Sequence, residues 1–149
     1  MQQMNDRHVD VRFDHTIIPA LDKHRSARFF TELFGLPEAI EAGPFLQVRL
    51  SDGRVFEFAE PPVEFPGQHF AFLVNDETFD AVLERLRRDD VPHWADPQQR
   101  RPGEINTNHG GRGVYFDDPA GHHFEAITAL RRECADLTRR RAEELKVVS

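Results

Sequence analysis

Cysteine is nearly absent from this chain, with Cys134 the single example among 149 residues. One thiol excludes an internal disulfide and any zinc site built on cysteine pairs. Basic charge is in deficit: 19 Lys and Arg stand against 26 Asp and Glu, a formal −7. That balance argues against a nucleic-acid partner, whose footprint is a basic patch. Long apolar runs are also missing. No stretch approaches the roughly 20 apolar residues that span a bilayer, and the polar first dozen residues lack the apolar centre of a secretory leader. No membrane partner is expected, and the expected setting is a reducing cytoplasm. Phenylalanine is what the chain has in quantity. Thirteen Phe in a sequence that is 39% hydrophobic are too many for a disordered chain. The expected organisation is one domain over residues 1–130 and a C-terminal helical tail over 131–149.

The domain reads as two similar halves, about 10–62 and 67–130. In the first, residues 13–18 are an apolar strand candidate. A helix over 22–36 places Ala27, Phe30, Leu33 and Phe34 at helical spacing, and Gly35 and Pro37 stop it. Strands over 45–50 and 54–59 follow, joined by the turn Ser51-Asp52-Gly53, with a short strand at 38–42. In the second, 68–74 is a strand. Asn75 or Asp76 caps a helix with Phe79, Val82, Leu83 and Leu86 on one face. A strand at 91–95 and a hairpin of 113–116 with 122–128 complete the repeat. Residues 97–111 form a long polar loop, the kind that is usually functional or disordered. The segment 129–148, which runs into that tail, carries Leu130, Cys134, Leu137 and Leu145 on a narrow stripe, as a surface helix or a dimer-contact helix would.

His15 and His69 hold the same place in the first strand of each half. Glu57 follows Gly53 by four residues and Glu125 follows Gly121 by four, so they match in the last strands. Strand side chains alternate between faces. His15 therefore shares a face with Phe13 and Ile17, and Glu125 with His123 and Ile127. Mid-strand glutamates among apolar residues need compensation, because Glu is almost never fully buried unpaired. A divalent cation of the Mn, Fe, Ni, Co or Zn type supplies it through imidazole and carboxylate ligands. A sheet with one wet face shows the same alternation. His122 and His123 are adjacent, so at most one of them can join that face.

The segment 111–125, reading GRGVYFDDPAGHHFE, resembles the final hairpin of the vicinal oxygen chelate superfamily, which includes glyoxalases, bleomycin resistance proteins and dioxygenases. Asp14-His15 and the helix ending Phe34-Gly35-Leu36 resemble its opening, and His69-Phe70-Ala71-Phe72 its middle ligand strand. The resemblance spans residues 14–128. It implies an α+β fold of paired βαβββ modules curving a mixed sheet around a metal cleft. It also implies a homodimer, and His15, His69, Glu125 and, fourth, Glu57 as metal ligands.

The implied function is a metal-dependent enzyme, a lyase or isomerase. It would hold adjacent oxygens of a small substrate on the ion, with Glu57 available as general base. The alternatives are a resistance protein that binds an antibiotic or metabolite without turnover, a thiol transferase, or a dioxygenase. Ile17 and Cys134 stand where the fosfomycin enzymes have threonine and arginine, which argues against phosphonates. Pro19 and Pro61 stand where glutathione-binding glyoxalases have arginine and asparagine. The substrate-binding candidates are Tyr115 on the hairpin, Arg112, able to grip a carboxylate by a bidentate contact, and Asn108 and His109 in the loop before it.

Overall fold

A computed structural model describes residues 8–130. The elements run β1 (His15–Pro19), α1 (Lys23–Phe34), β2 (Ile40–Ala42), β3 (Phe45–Arg49), β4 (Val55–Ala59), β5 (His69–Leu73), α2 (Asp76–Arg88), β6 (His93–Trp94), β7 (Gly113–Asp117) and β8 (His123–Ile127). A short 3-10 turn, Asn108–Gly110, breaks the long polar loop. The expected α+β fold of two βαβββ modules is present. Its strands lie in two four-stranded mixed sheets, ordered β1-β4-β3-β2 and β5-β8-β7-β6. In each sheet the first and last strands of the module pair in parallel and the rest are antiparallel. The expected tail helix lies outside the described residues.

Local chemistry sets the helix limits. Asp22 caps α1 by accepting the Arg25 amide at 3.1 Å. Gly35 ends it in the left-handed region at φ 73°, a conformation that costs glycine little. Asn75 caps α2, accepting from the Thr78 amide at 2.8 Å. Asp76 and Glu77 open α2, and Arg85, Arg87 and Arg88 close it, matching its dipole at both ends. Arg85 Nη1 also donates to the Leu33 carbonyl at 2.8 Å, filling an acceptor that the end of α1 leaves open.

Strands β1, β3, β4, β7 and β8 each bury one face. Ile18, Leu46, Val48, Phe56 and Phe58 from the first sheet join Val114, Phe116, Phe124 and Ala126 from the second in a single core with the two helices. Phe30 of α1 is its hub. It stacks on Phe56 at 5.5 Å and meets Phe72 and Phe124 edge-on at 5.2 and 5.8 Å, the offset and T-shaped geometries that aromatic quadrupoles favour. The helix-side faces of the two modules therefore pack against one another. The opposite faces of both sheets turn away from that shared core, and the candidate ligands lie on them.

His122 fastens the modules together. It is fully buried, stacked on Phe65 at 5.6 Å and edge-on to Phe70. Its Nδ1 accepts from the Gln68 amide at 3.0 Å, and its Nε2–H donates to the Pro19 carbonyl at 2.7 Å. Pro19 belongs to the first module and Gln68 to the second. Nearby, Asp118 Oδ1 takes the Ala120 and His122 amides, while the buried Oδ2 has no hydrogen-bond partner among the described residues. Burial, opposed by those hydrogen bonds, raises the Asp118 pKa above the usual carboxylate value.

Candidate metal centre

The four ligand candidates all lie on the faces turned from the core, two per module. On the first sheet His15 sits on β1 and Glu57 on β4, where Ile17 is the parallel Cα partner of Glu57. His15 Nδ1 donates to Asp14 Oδ2 at 2.7 Å, leaving Nε2 as the nitrogen that can coordinate. The Asp14 hydrogen bond raises the His15 pKa; desolvation opposes it, and the charges of Asp14 and Glu57 reinforce it. Gln47 of β3, the register partner of Glu57, donates Nε2–H to Glu57 Oε1 at 2.6 Å.

On the second sheet His69 and Glu125 touch directly, Nε2 to Oε1 at 3.0 Å. The Glu125 side chain is only 14% exposed. Tyr115 is the antiparallel register partner of Glu125, and its ring centre lies 6.2 Å from that of His69. His69, Trp94, Tyr115 and His123 border a cavity of about 110 Å³. His123 joins this open face, its Nδ1 donating to Asp117 Oδ1 at 2.7 Å, while Gln99 holds the other Asp117 oxygen at 3.1 Å.

The structure thus brings His15 to Glu57's sheet face and His69 to Glu125, but not the four into one cluster. Among the described residues no three His, Cys, Asp or Glu side chains gather as a metal-binding group within one chain. The donor chemistry nevertheless suits a divalent ion. Each half offers one imidazole and one carboxylate on a half-exposed sheet face, which is half of a four-ligand set.

The loop candidates lie elsewhere. Arg112 turns to the start of α2, where Nη1 binds Asp80 Oδ1 at 2.7 Å and Nη2 binds Asp76 Oδ1 at 3.0 Å. Its guanidinium covers the Phe79 ring at 4.5 Å. Asn108 and His109 occupy the exposed 3-10 turn, His109 at φ 58°, outside the lining of the cavity beside His69. Sequence reasoning passed over Gln47 and Asp117. Their alternation with Leu46 and Phe116 was visible, but the cross-strand register that aims them at Glu57 and His123 was not. For His123, the adjacency rule left one place on the open face, and the structure gives it to His123 and buries His122.

The Glyoxalase/Bleomycin resistance protein/Dioxygenase superfamily model matches residues 12–126, and the chain belongs to that family. Two solved structures described as oxidases stand near it. Oxidase ChaP-H1 is 45% identical with a TM-score of 0.79, covering 81% of this chain and 98% of that one. Oxidase ChaP-H2 is 42% identical, also at 0.79, covering 83% and 97%. A curated relative, "Glutathione transferase FosA" of Serratia marcescens, is 29% identical over 119 residues, 75% of this chain and 77% of that protein. Among the described residues no helix is long and apolar enough to cross a membrane.

Proposed function

We propose that this chain is a divalent-metal-dependent enzyme acting on a small oxygen-bearing molecule, with each metal site assembled from two copies of the chain. One copy contributes His15 and Glu57, and the second contributes His69 and Glu125. The observation that carries this reading is the split of the ligand set. Two donors lie on each of two sheet faces that turn away from a common core, and among the described residues no three donors gather within one chain. Ile17 and Leu73, on those same faces, are 50% and 57% exposed. Strands β1 and β5 are each bonded on one side only. Apolar side chains beside an open strand edge are what a second copy covers.

A bound divalent ion would supply Lewis acidity toward two adjacent substrate oxygens. The protein's own part begins with charge. With both histidines neutral, Glu57 and Glu125 together balance a dication, and Glu125 alone leaves one positive charge to attract an anionic substrate. Asp14 fixes the His15 ring. Glu125 and His69 begin as a hydrogen-bonded pair. Glu57, with Oε1 held by Gln47, offers Oε2 to the ion, and on leaving the ion that oxygen would take a proton from the substrate, as a general base must. Tyr115, Trp94 and His123 flank His69 on the other face and would contact the substrate body.

For the reaction, the likeness to two proteins described as oxidases, at 45% and 42% identity over nearly their whole length, favours oxidation over the lyase or isomerase step expected from the sequence. The 29% likeness to a glutathione transferase supports thiol transfer as the second reading. The test is metal content per chain in protein purified without chelator, together with molecular mass in solution. About one ion per chain in a dimer, lost in His69→Ala, supports the proposal. A monomer holding no ion after loading with Mn, Fe, Co, Ni or Zn overturns it. Oxygen consumption against thiol consumption, with candidate chelating substrates, separates the two reactions.

A further inference from the structure

We propose that Gln47 is the positioning residue for the Glu57 carboxylate, an inference that rests on the metal-site reading above. Gln47 and Glu57 are antiparallel Cα partners on β3 and β4, both half-buried on the open face of the first sheet. The Gln47 Nε2–H donates to Glu57 Oε1 at 2.6 Å, a short bond to an ionised acceptor. The second oxygen, Oε2, has no hydrogen-bond or ion-pair partner among the described residues. Gln47 therefore claims one oxygen and leaves the other to whatever approaches the face.

The chemistry of an amide suits this task. A lysine or arginine at position 47 would neutralise Glu57 and cancel its attraction for a cation. A glutamate would repel it. An amide orients the carboxylate, adds no charge and takes no proton at neutral pH.

The other half of the repeat is built differently at the matching place. Tyr115 is the register partner of Glu125, yet Glu125 Oε1 is engaged by His69, its own co-ligand. The His69–Glu125 contact must open to admit an ion. The Gln47–Glu57 bond need not, because only Oε2 is required. Gln47 thus prepares Glu57 in advance, as outer hydrogen bonds to ligating carboxylates do.

The experiment measures the rate at which cobalt-loaded protein releases its ion to excess chelator. Four proteins are compared: the natural chain, Gln47→Leu, Glu57→Ala, and the double variant. Loss of an outer hydrogen-bond partner costs about 10–100-fold in metal affinity, so Gln47→Leu is expected to release cobalt at least about tenfold faster. Adding Gln47→Leu to Glu57→Ala should then change nothing, because the group that Gln47 positions is gone. The visible cobalt spectrum should change in Gln47→Leu and not between Glu57→Ala and the double variant. Equal acceleration in both backgrounds would reveal a general structural effect and overturn the inference. Unchanged release in Gln47→Leu, with cobalt held by the natural chain, overturns this inference alone. A natural chain that binds no cobalt overturns it together with the metal-site reading.

Discussion

Complementation between two inactive variants tests the two-copy site directly. His15→Ala removes a donor from the first module's face and His69→Ala from the second. These side chains are 55% and 50% exposed and lie outside the core cluster, so each substitution should leave stability within about 0.5 kcal/mol. In the proposed two-fold dimer each site would take the first module of one copy and the second module of the other. Either variant alone loses His15 or His69 from both sites. A mixed dimer concentrates both lesions in one site and leaves the other whole. Unfolding and refolding the variants together in equal amounts gives mixed dimers as about half of the population, each with one intact site of two. The mixture should therefore recover about a quarter of the natural metal content and about a quarter of any activity. The assay is metal analysis after desalting, with each variant refolded alone as the control. Zero recovery, in a mixture shown to contain mixed dimers by tagging one variant, would refute the assignment of each site to two copies.

Other expectations concern the core and its buried polar groups. His122→Ala should cost about 3 kcal/mol, since it opens a cavity and strands the Gln68 amide and the Pro19 carbonyl; urea unfolding reads this, and a loss below about 1 kcal/mol would deny the residue its role as fastener. Phe30→Ala should cost about 3–5 kcal/mol, because Phe30 touches aromatic rings of both modules, and a milder loss would mean the modules do not share one core. The Asp118 pKa is raised in the folded chain, so its contribution to stability is full below the ordinary carboxylate pKa and is lost as pH rises through the raised folded value. Asp118→Asn should flatten that part of the stability–pH curve, and an unchanged curve would assign the titration to another group.

The sequence made the repeat legible because both halves obey the same local rules. Helix caps at Asp22 and Asn75, the stop at Gly35, and the alternation through Phe56-Glu57-Phe58 and Phe124-Glu125-Ala126 are written in neighbouring residues. The family was legible from the final hairpin for the same reason. Three things were not. Arg112 reads as a substrate clamp from its loop, and only the fold brings Asp76 and Asp80 to it across more than 30 positions of chain. Gln47 gains meaning from strand register, which hydrophobic alternation narrows but does not fix. Above all, the pattern says that His15, His69, Glu57 and Glu125 share a kind of face. It does not say whether two such faces of one chain look toward each other.

The chain satisfies its hydrophobic demand by joining the backs of its two sheets through Phe30, Phe56, Phe72 and Phe124. Its candidate ligands are left two to a sheet face, so on the proposed reading an ion with four protein ligands would exist only in the dimer. Binding and association are then linked, and anything that binds the dimer and not the monomer stabilises the dimer by mass action. The linkage is reciprocal. Diluting the metal-free protein should yield monomers at a concentration where the loaded protein is still dimeric, and metal affinity should fall as total protein is lowered through the metal-free dimer's dissociation constant. Sedimentation of loaded and metal-free protein across a dilution series measures the first effect, and metal titration at two protein concentrations measures the second. Equal dimer dissociation constants with and without the ion would refute the linkage, because a site divided between two copies must bind them together.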